Sequence, residues 1–283
     1  MNPRAILLAW AMAFAAAALV LVGLARTEQL WWSQPGRFPQ APVVVLGSSL
    51  MLHAFPEQGP AKWPIDDRRN YVRFAVNSMD EQQTLDLLDL VTKRPTEMVL
   101  VEINPIAFDF AFERQTQEAW ASWVLAPFNE LRRFSIQTRR GLKIVVGAFG
   151  GTGAPIQQMM ATAPPDQPFR IETDVLAKAY PLSLRSPREA PRLRRIIAKA
   201  REAGIEIVFV VPPRSASAES YMGKEAGVEA QKHFAALAQD FGVRLFQPAF
   251  AWPDRFFNDQ AHLNRAGALR FQEELADWWR QRQ

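Results

Sequence analysis

The sequence predicts an α/β fold: a mostly parallel sheet of about five strands, covered by helices on both faces, preceded by one transmembrane helix. Three observations carry this. Short β-branched apolar runs alternate with longer stretches of helical apolar spacing, the pattern of βαβ units. Glycines stand directly after two of the helical stretches, where a left-handed C′ residue ends a helix. One long uncharged apolar run opens the chain.

That run, Ala5 to Ala25, follows Arg4 and precedes Arg26 and Glu28. About twenty apolar positions rise about 30 Å as a helix, the thickness of a bilayer core. Trp31 and Trp32 fall where an interfacial aromatic belt would lie. A cleaved signal peptide is the rival reading, with Gly23 and Ala25 as a small-residue cleavage site. The run is longer than an ordinary signal core, which favours a retained anchor. Both readings export the chain beyond Arg26, because no second apolar run of that length appears. The division is then an anchor at 1–26, a Pro- and Gly-containing linker at 27–41, and one domain at 42–283.

Within that domain, Pro42 to Leu46 reads as a strand buried on both faces and stopping at Gly47. Tyr71 to Val76 is a second strand, and Asp80 to Lys93 a helix with Asp80 as its cap. Met98 to Ile103, Ile205 to Val211 and Val243 to Phe246 complete the set of strands. Helices at 191–203 and 227–241 precede the last two strands and end before Gly204 and Gly242. A final helix runs from Asn264 to Arg280. The stretch 107–186 is an irregular insertion, with a helix over Trp120 to Arg133. Gly147 to Gly153 is glycine-rich but lacks the Lys-Ser/Thr pair of a phosphate loop, so it reads as a loop or cap.

The 283 residues have ordinary globular composition, enough to bury a core without staples. Absent cysteines exclude disulfides and thiolate metal sites, and three scattered histidines form no ligand cluster, so no metal or cofactor is expected. The net charge of +4 is spread along the chain rather than clustered, which argues against nucleic-acid binding.

Open α/β sheets place their sites at the carboxyl ends of strands. After the first strand stands Gly47-Ser48-Ser49-Leu50. A serine there is exposed at the sheet edge and suits a nucleophile, although serine is also a common helix cap. Before the last helix stands Asp259-Gln260-Ala261-His262. That spacing lets the carboxylate fix the imidazole tautomer, so that the other ring nitrogen acts as base. His53, close in sequence to the serines, is a rival base, and His233 reads as a surface residue.

These residues resemble the SGNH, or GDSL-like, hydrolase superfamily. Gly47-Ser48-Ser49-Leu50 is similar to the Gly-Asp-Ser-Leu block, and Asp259 and His262 to the Asp-x-x-His block, with Leu263, Asn264 and Gly267 fitting the sequence downstream. The middle blocks depart from the pattern. Glu102-Ile103-Asn104 stands for Gly-x-Asn, and Ser78 takes the place of the second block's glycine. The resemblance covers roughly residues 42 to 280. It implies a flavodoxin-like three-layer sandwich with Ser49, His262 and Asp259 as catalytic triad. The oxyanion hole would be made by Ser49, Ser78 and Asn104.

With the anchor, the resemblance implies a periplasmic domain on a bacterial inner membrane. Anchored proteins of this kind resemble the polysaccharide O-acetylation and D-alanine transfer proteins. They imply a membrane-bound O-acyltransferase as partner and an envelope polysaccharide as acceptor. The alternatives are a periplasmic esterase with the same triad and a non-catalytic accessory subunit of an envelope assembly.

Overall fold

The computed structural model describes residues 10, 12–23, 40–57, 61–63, 69–75, 79–109, 163–174, 176, 183–249 and 251–281. The chain divides into two compact units, Met1–Phe38 with Thr116–Gln158 and Pro39–Gln115 with Met159–Gln283. Of the first unit, 12–23 is helical, and Met12, Phe14, Leu19 and Val20 on it are exposed. Among the described residues no helix is long and apolar enough to cross a membrane, so the span expected over Ala5–Ala25 is not supported here; of that run only residues 10 and 12–23 are described, as helix. The rest of that run lies outside the described residues. So do Trp31, Trp32, the linker to residue 39, the helix expected over 120–133 and the glycine-rich run at 147–153.

The second unit is an α/β sandwich. Its strands are β1 (Val43–Gly47), β2 (Ala61–Lys62), β3 (Asn70–Ala75), β4 (Met98–Glu102), β5 (Phe108–Asp109), β6 (Ser183–Leu184), β7 (Glu206–Val210), β8 (Arg214–Ser215), β9 (Arg244–Phe246) and β10 (Ala251–Trp252). Its helices are α1 (Ser49–Ala54), α2 (Glu81–Val91), α3 (Asn104–Ala107), α4 (Ala190–Glu202), α5 (Ala216–Met222), α6 (Lys224–Phe241) and α7 (Arg265–Arg280).

The main sheet runs β2-β3-β1-β4-β7-β9. The five strands expected from the sequence are all parallel. The sixth, β2, is not expected from the sequence: its two residues add an antiparallel edge beside β3. Two residues carry no readable period, which is why such a strand stays invisible in sequence.

Strand β1 (VVVLG) is buried throughout, as expected of a central strand with both faces covered. Alternation sorts the two faces. Val43 and Val45 share a core with Leu100, Val208, Met51, Ala54, Phe271, Leu275 and Trp279, so α1 and α7 cover that side. Phe209 points the other way and meets Phe241 of α6 edge-on.

Helix α2 begins where Asp80 predicts. Asp80 accepts the Gln83 N–H while the Gln83 side chain accepts the Asp80 N–H, a reciprocal cap. Helices α4 and α6 end near Gly204 and Gly242, both left-handed as expected. Helix α6 starts three residues earlier than Gly227, and α5 has no counterpart among the expected helices. The α5 sequence ASAESYM has too few apolar residues for a period; Ser215 starts it by accepting the Ala218 N–H.

The described ends of the irregular region fold back on the sheet's carboxyl edge. Strand β6 pairs antiparallel with β5. Arg185 then bridges Glu81 at 2.6 Å and donates to the Pro105 carbonyl at 3.0 Å, tying α2 to α3.

Candidate active site

The strand order reverses at β1, with β3 on one side and β4 on the other, and an open α/β sheet places its site at the carboxyl end of such a strand. Register sets what meets there. Leu46 pairs with Val101, which brings the turn after β1 beside the end of β4.

The two serines of that turn differ in their partners, and Ser49 is the candidate nucleophile. Ser48 is the helix cap: its Oγ accepts the Leu50 N–H at 3.2 Å, and its carbonyl accepts Met51 and Leu52. Ser49, half-buried, is free of capping, and its Oγ lies 2.8 Å from His262 Nε2. These two residues are 213 positions apart in sequence. Arg73 of β3 locks the other end of α1 by donating to the Leu52 and Phe55 carbonyls, the free acceptors of a helix C-terminus.

The candidate base, His262, comes from a small self-closed loop. Phe257 and Leu263 form a β-bridge, Asn258 N–H donates to the His262 carbonyl, and Asn264 N–H donates to the Phe256 carbonyl. Asp259 Oδ1 accepts the Ala261 and His262 N–H groups at 2.9 and 2.8 Å. Its Oδ2 accepts His262 Nδ1–H at 2.7 Å. A carboxylate cannot donate, so Nδ1 carries the proton and Nε2 is the acceptor facing the Ser49 hydroxyl. Burial pushes the Asp259 carboxyl up, but the His262 ring and the two backbone donors outweigh it and hold the carboxyl below its ordinary value. Gly267 lets α7 start so close: a Cβ there would strike the Phe256 carbonyl, and Asn264 caps α7 by accepting the Gly267 N–H at 2.9 Å.

A strap from the irregular region holds this loop from outside. Asn258 accepts the Gln167 and Arg170 N–H groups through its side chain and backbone, and Gln260 accepts Glu172 N–H.

His53 is placed as a neighbour, not as the base. Its Nδ1–H donates to the Leu263 carbonyl at 3.0 Å, and its ring packs on His262 with centroids 4.7 Å apart. Burial, then the charge of His262, pushes its pKa down, which disfavours its charged form. His233 is tied to the Arg185 carbonyl.

Glu102 is a residue to which the sequence alone assigns no role. It ends β4, is 1% exposed, and accepts the Ser48 N–H at 2.6 Å and Asn104 Nδ2–H at 3.0 Å. Burial raises its pKa against the pull of the Ser48 and Asn104 hydrogen bonds. Gly47 makes room for it: a Cβ there would sit 2.7 Å from Glu102 Oε2 and overlap the Met51 side chain. The signal in the sequence is a glutamate closing an otherwise apolar strand, MVLVE.

Asn104 opens α3 and is buried. Ser78 lies outside the described residues. With Ser48, Leu50, Met51 and Leu52 N–H all engaged, the Ser49 N–H is the donor of that turn that no described contact uses. Among the described residues no group of three or more His, Asp and Glu is placed to hold a metal ion.

No protein-family model matches the chain. No curated protein matches it significantly either, so the chemistry rests on this geometry alone.

Proposed function

We propose that the protein is a serine acyltransferase of the SGNH type. It would transfer an acyl group to hydroxyls of a cell-envelope polysaccharide through an acyl-Ser49 intermediate. The observation that carries the reading is the unbroken line from Asp259 Oδ2 to His262 Nδ1, and from His262 Nε2 to Ser49 Oγ, at 2.7 and 2.8 Å. That is the spacing of a nucleophile, its base and the base's orienter.

The chemistry follows from the tautomer. His262 Nε2 takes the Ser49 proton as Oγ attacks the acyl carbonyl carbon, whose oxygen becomes an oxyanion. Ser49 N–H and the Asn104 amide are its donors, with Ser78 as the third expected contributor. The tetrahedral intermediate expels its leaving oxygen, which receives the proton from His262. An acceptor hydroxyl then gives its proton to His262 Nε2 and attacks acyl-Ser49, and the proton returns to Ser49 Oγ. Water as acceptor gives hydrolysis with the same groups.

The flavodoxin-like SGNH sandwich is supported by the order of the five parallel strands, which reverses at β1. A membrane anchor and a periplasmic domain rest on the uncharged run Ala5–Ala25 and on the exposed apolar helix at 12–23. A membrane-bound O-acyltransferase is the proposed acyl donor's source.

A fluorophosphonate probe tests the core of the reading. Wild type should be labelled and Ser49→Ala should not. Labelling that survives Ser49→Ala removes the serine from the chemistry. Adding an acceptor oligosaccharide to an acyl ester then separates transfer from hydrolysis.

A further inference from the structure

Asn104 presents a conflict that the triad leaves untouched. It is 5% exposed, and its Oδ1 is buried with no hydrogen-bond partner, while its Nδ2 donates to Glu102 Oε1 at 3.0 Å. The buried position that hydrogen-bonds no protein group, linked to the Ser48 turn through Glu102, is therefore occupied by an acceptor. An acceptor there repels a developing oxyanion; a donor would stabilise it. The oxygen and nitrogen of an amide have the same shape, so their partners decide which end faces which way.

Glu102 is that partner. An ionised carboxylate only accepts, so it forces the Asn104 NH2 inward and strands the oxygen. A neutral carboxylic acid reverses this. Its Oε2 still accepts the Ser48 N–H at 2.6 Å, while a proton on Oε1 donates to Asn104 Oδ1.

We propose that Glu102 acts as a neutral carboxylic acid whose Oε1–H holds Asn104 Oδ1, so that the Asn104 NH2 takes the unpartnered position as oxyanion donor. This rests on the serine acyl-transfer reading. Glu102 is a positioning residue: it acts through Asn104, and its proton stays on it throughout the cycle. The burial that pushes its pKa up favours the neutral form. The groups facing it are Ser48 from the β1–α1 turn and Asn104 from α3, which do not titrate, and His262 from the loop before α7, whose positive charge favours ionisation.

Glutamine copies the neutral acid: its oxygen accepts the Ser48 N–H and its NH2 donates to Asn104 Oδ1. Beside an inward-facing Asn104 NH2, glutamine would instead leave two donors opposed at one end. E102Q is therefore expected to keep kcat within a few fold. E102L and N104A should each lose about 10²–10³ in kcat with KM little changed, the loss of one oxyanion donor. Wild-type activity should fall on the alkaline side as Glu102 ionises, and E102Q should lack that fall. Infrared difference spectra of the full chain read the proton without turnover. They are best taken in an E219Q background, because burial pushes the Glu219 carboxyl up to about 7. A glutamic-acid carbonyl band should persist at mildly alkaline pH and vanish on E102Q. If E102Q does not fold, loss of that band in E102L decides instead, since the half-buried Asp86 carboxyl is also pushed up and can contribute to the band. A carboxylate band in its place, or a folded E102Q as slow as E102L, overturns the proposal. Turnover or probe labelling surviving Ser49→Ala overturns the acyl-transfer reading instead, and leaves the infrared result standing on its own.

Discussion

Asp259 and Glu102 both feel the charge of His262, yet their carboxyls shift in opposite directions. Asp259 lies in a loop that is a quarter exposed, its side chain at 25%, and collects three donors from within four residues. Glu102 lies under the sheet edge at 1% exposure and collects donors from two different βα turns. The two halves of one site are thus held in different ways. The base half is preassembled by local hydrogen bonds and keeps its charge. The nucleophile half is assembled by sheet register, in a place where a charge is costly to keep.

Removing the group both halves share should have the largest effect. His262→Ala deletes the proposed general base, and kcat should fall by at least about 10²–10⁴-fold. Asp259→Asn should cost activity as well, because Asn presents a donor or a neutral oxygen to Nδ1 and no longer fixes the tautomer. A ring-bonded loop that keeps its backbone hydrogen bonds should leave the unfolding midpoint of His262→Ala near that of wild type. A large loss of stability there would show that the base half is not self-supporting.

The next effect is on packing. Gly47→Ala and Gly267→Ala each place a methyl in a filled space, one in each half. Overpacking costs about 1–3 kcal/mol. Gly267→Ala should cost more, because its Cβ meets the Phe256 backbone, whereas the Cβ at 47 meets the flexible Met51 side chain and the Glu102 carboxyl. Denaturant midpoints at fixed m would rank them, and equal costs would mean that the Phe256 turn yields as readily as a side chain.

The opposite pKa shifts set opposite pH limits. The Asp259 carboxyl is below its unfolded value, so its contribution to stability is complete above the ordinary carboxylate range and is lost as pH falls through the lowered value. The Glu102 carboxyl is above its unfolded value, so its contribution is complete at lower pH and is lost as pH rises through the raised value. Midpoints measured across pH should show D259N flattening the loss as pH falls and E102Q the loss as pH rises above the ordinary carboxylate range. The same side flattening in both variants would contradict the contrast.

The same contrast explains what is legible in the sequence. Asp259 and His262 are readable because three residues of spacing contain their whole interaction. Ser49 is readable because strand ends carry sites, and the five parallel strands because their short apolar runs stand out between helical stretches and turn residues. Glu102 has no meaning until β1 and β4 pair with Leu46 opposite Val101. Arg73 likewise caps α1 only because β3 lies beside β1 with Arg73 opposite Val45. Strand β2 and helix α5 are too short to show a pattern against their surroundings.

Ser48→Ala should have the smallest effect, and it tests how the serine pair is divided. Its side chain accepts the Leu50 N–H and also hydrogen-bonds the Glu102 carboxyl, so alanine leaves one first-turn donor unsatisfied, a loss of about 1 kcal/mol, and removes one partner of Glu102. The Ser48 backbone N–H to Glu102 and the carbonyl to Met51 and Leu52 survive the change, so the turn should keep its path. The Ser49 Oγ to His262 Nε2 hydrogen bond does not pass through Ser48, so probe labelling should persist at a rate within a few fold of wild type. The variant is half of a reciprocal pair with Ser49→Ala, which should keep its stability and lose its labelling. If Ser48→Ala loses labelling while Ser49→Ala retains it, the cap and the nucleophile have been assigned the wrong way round.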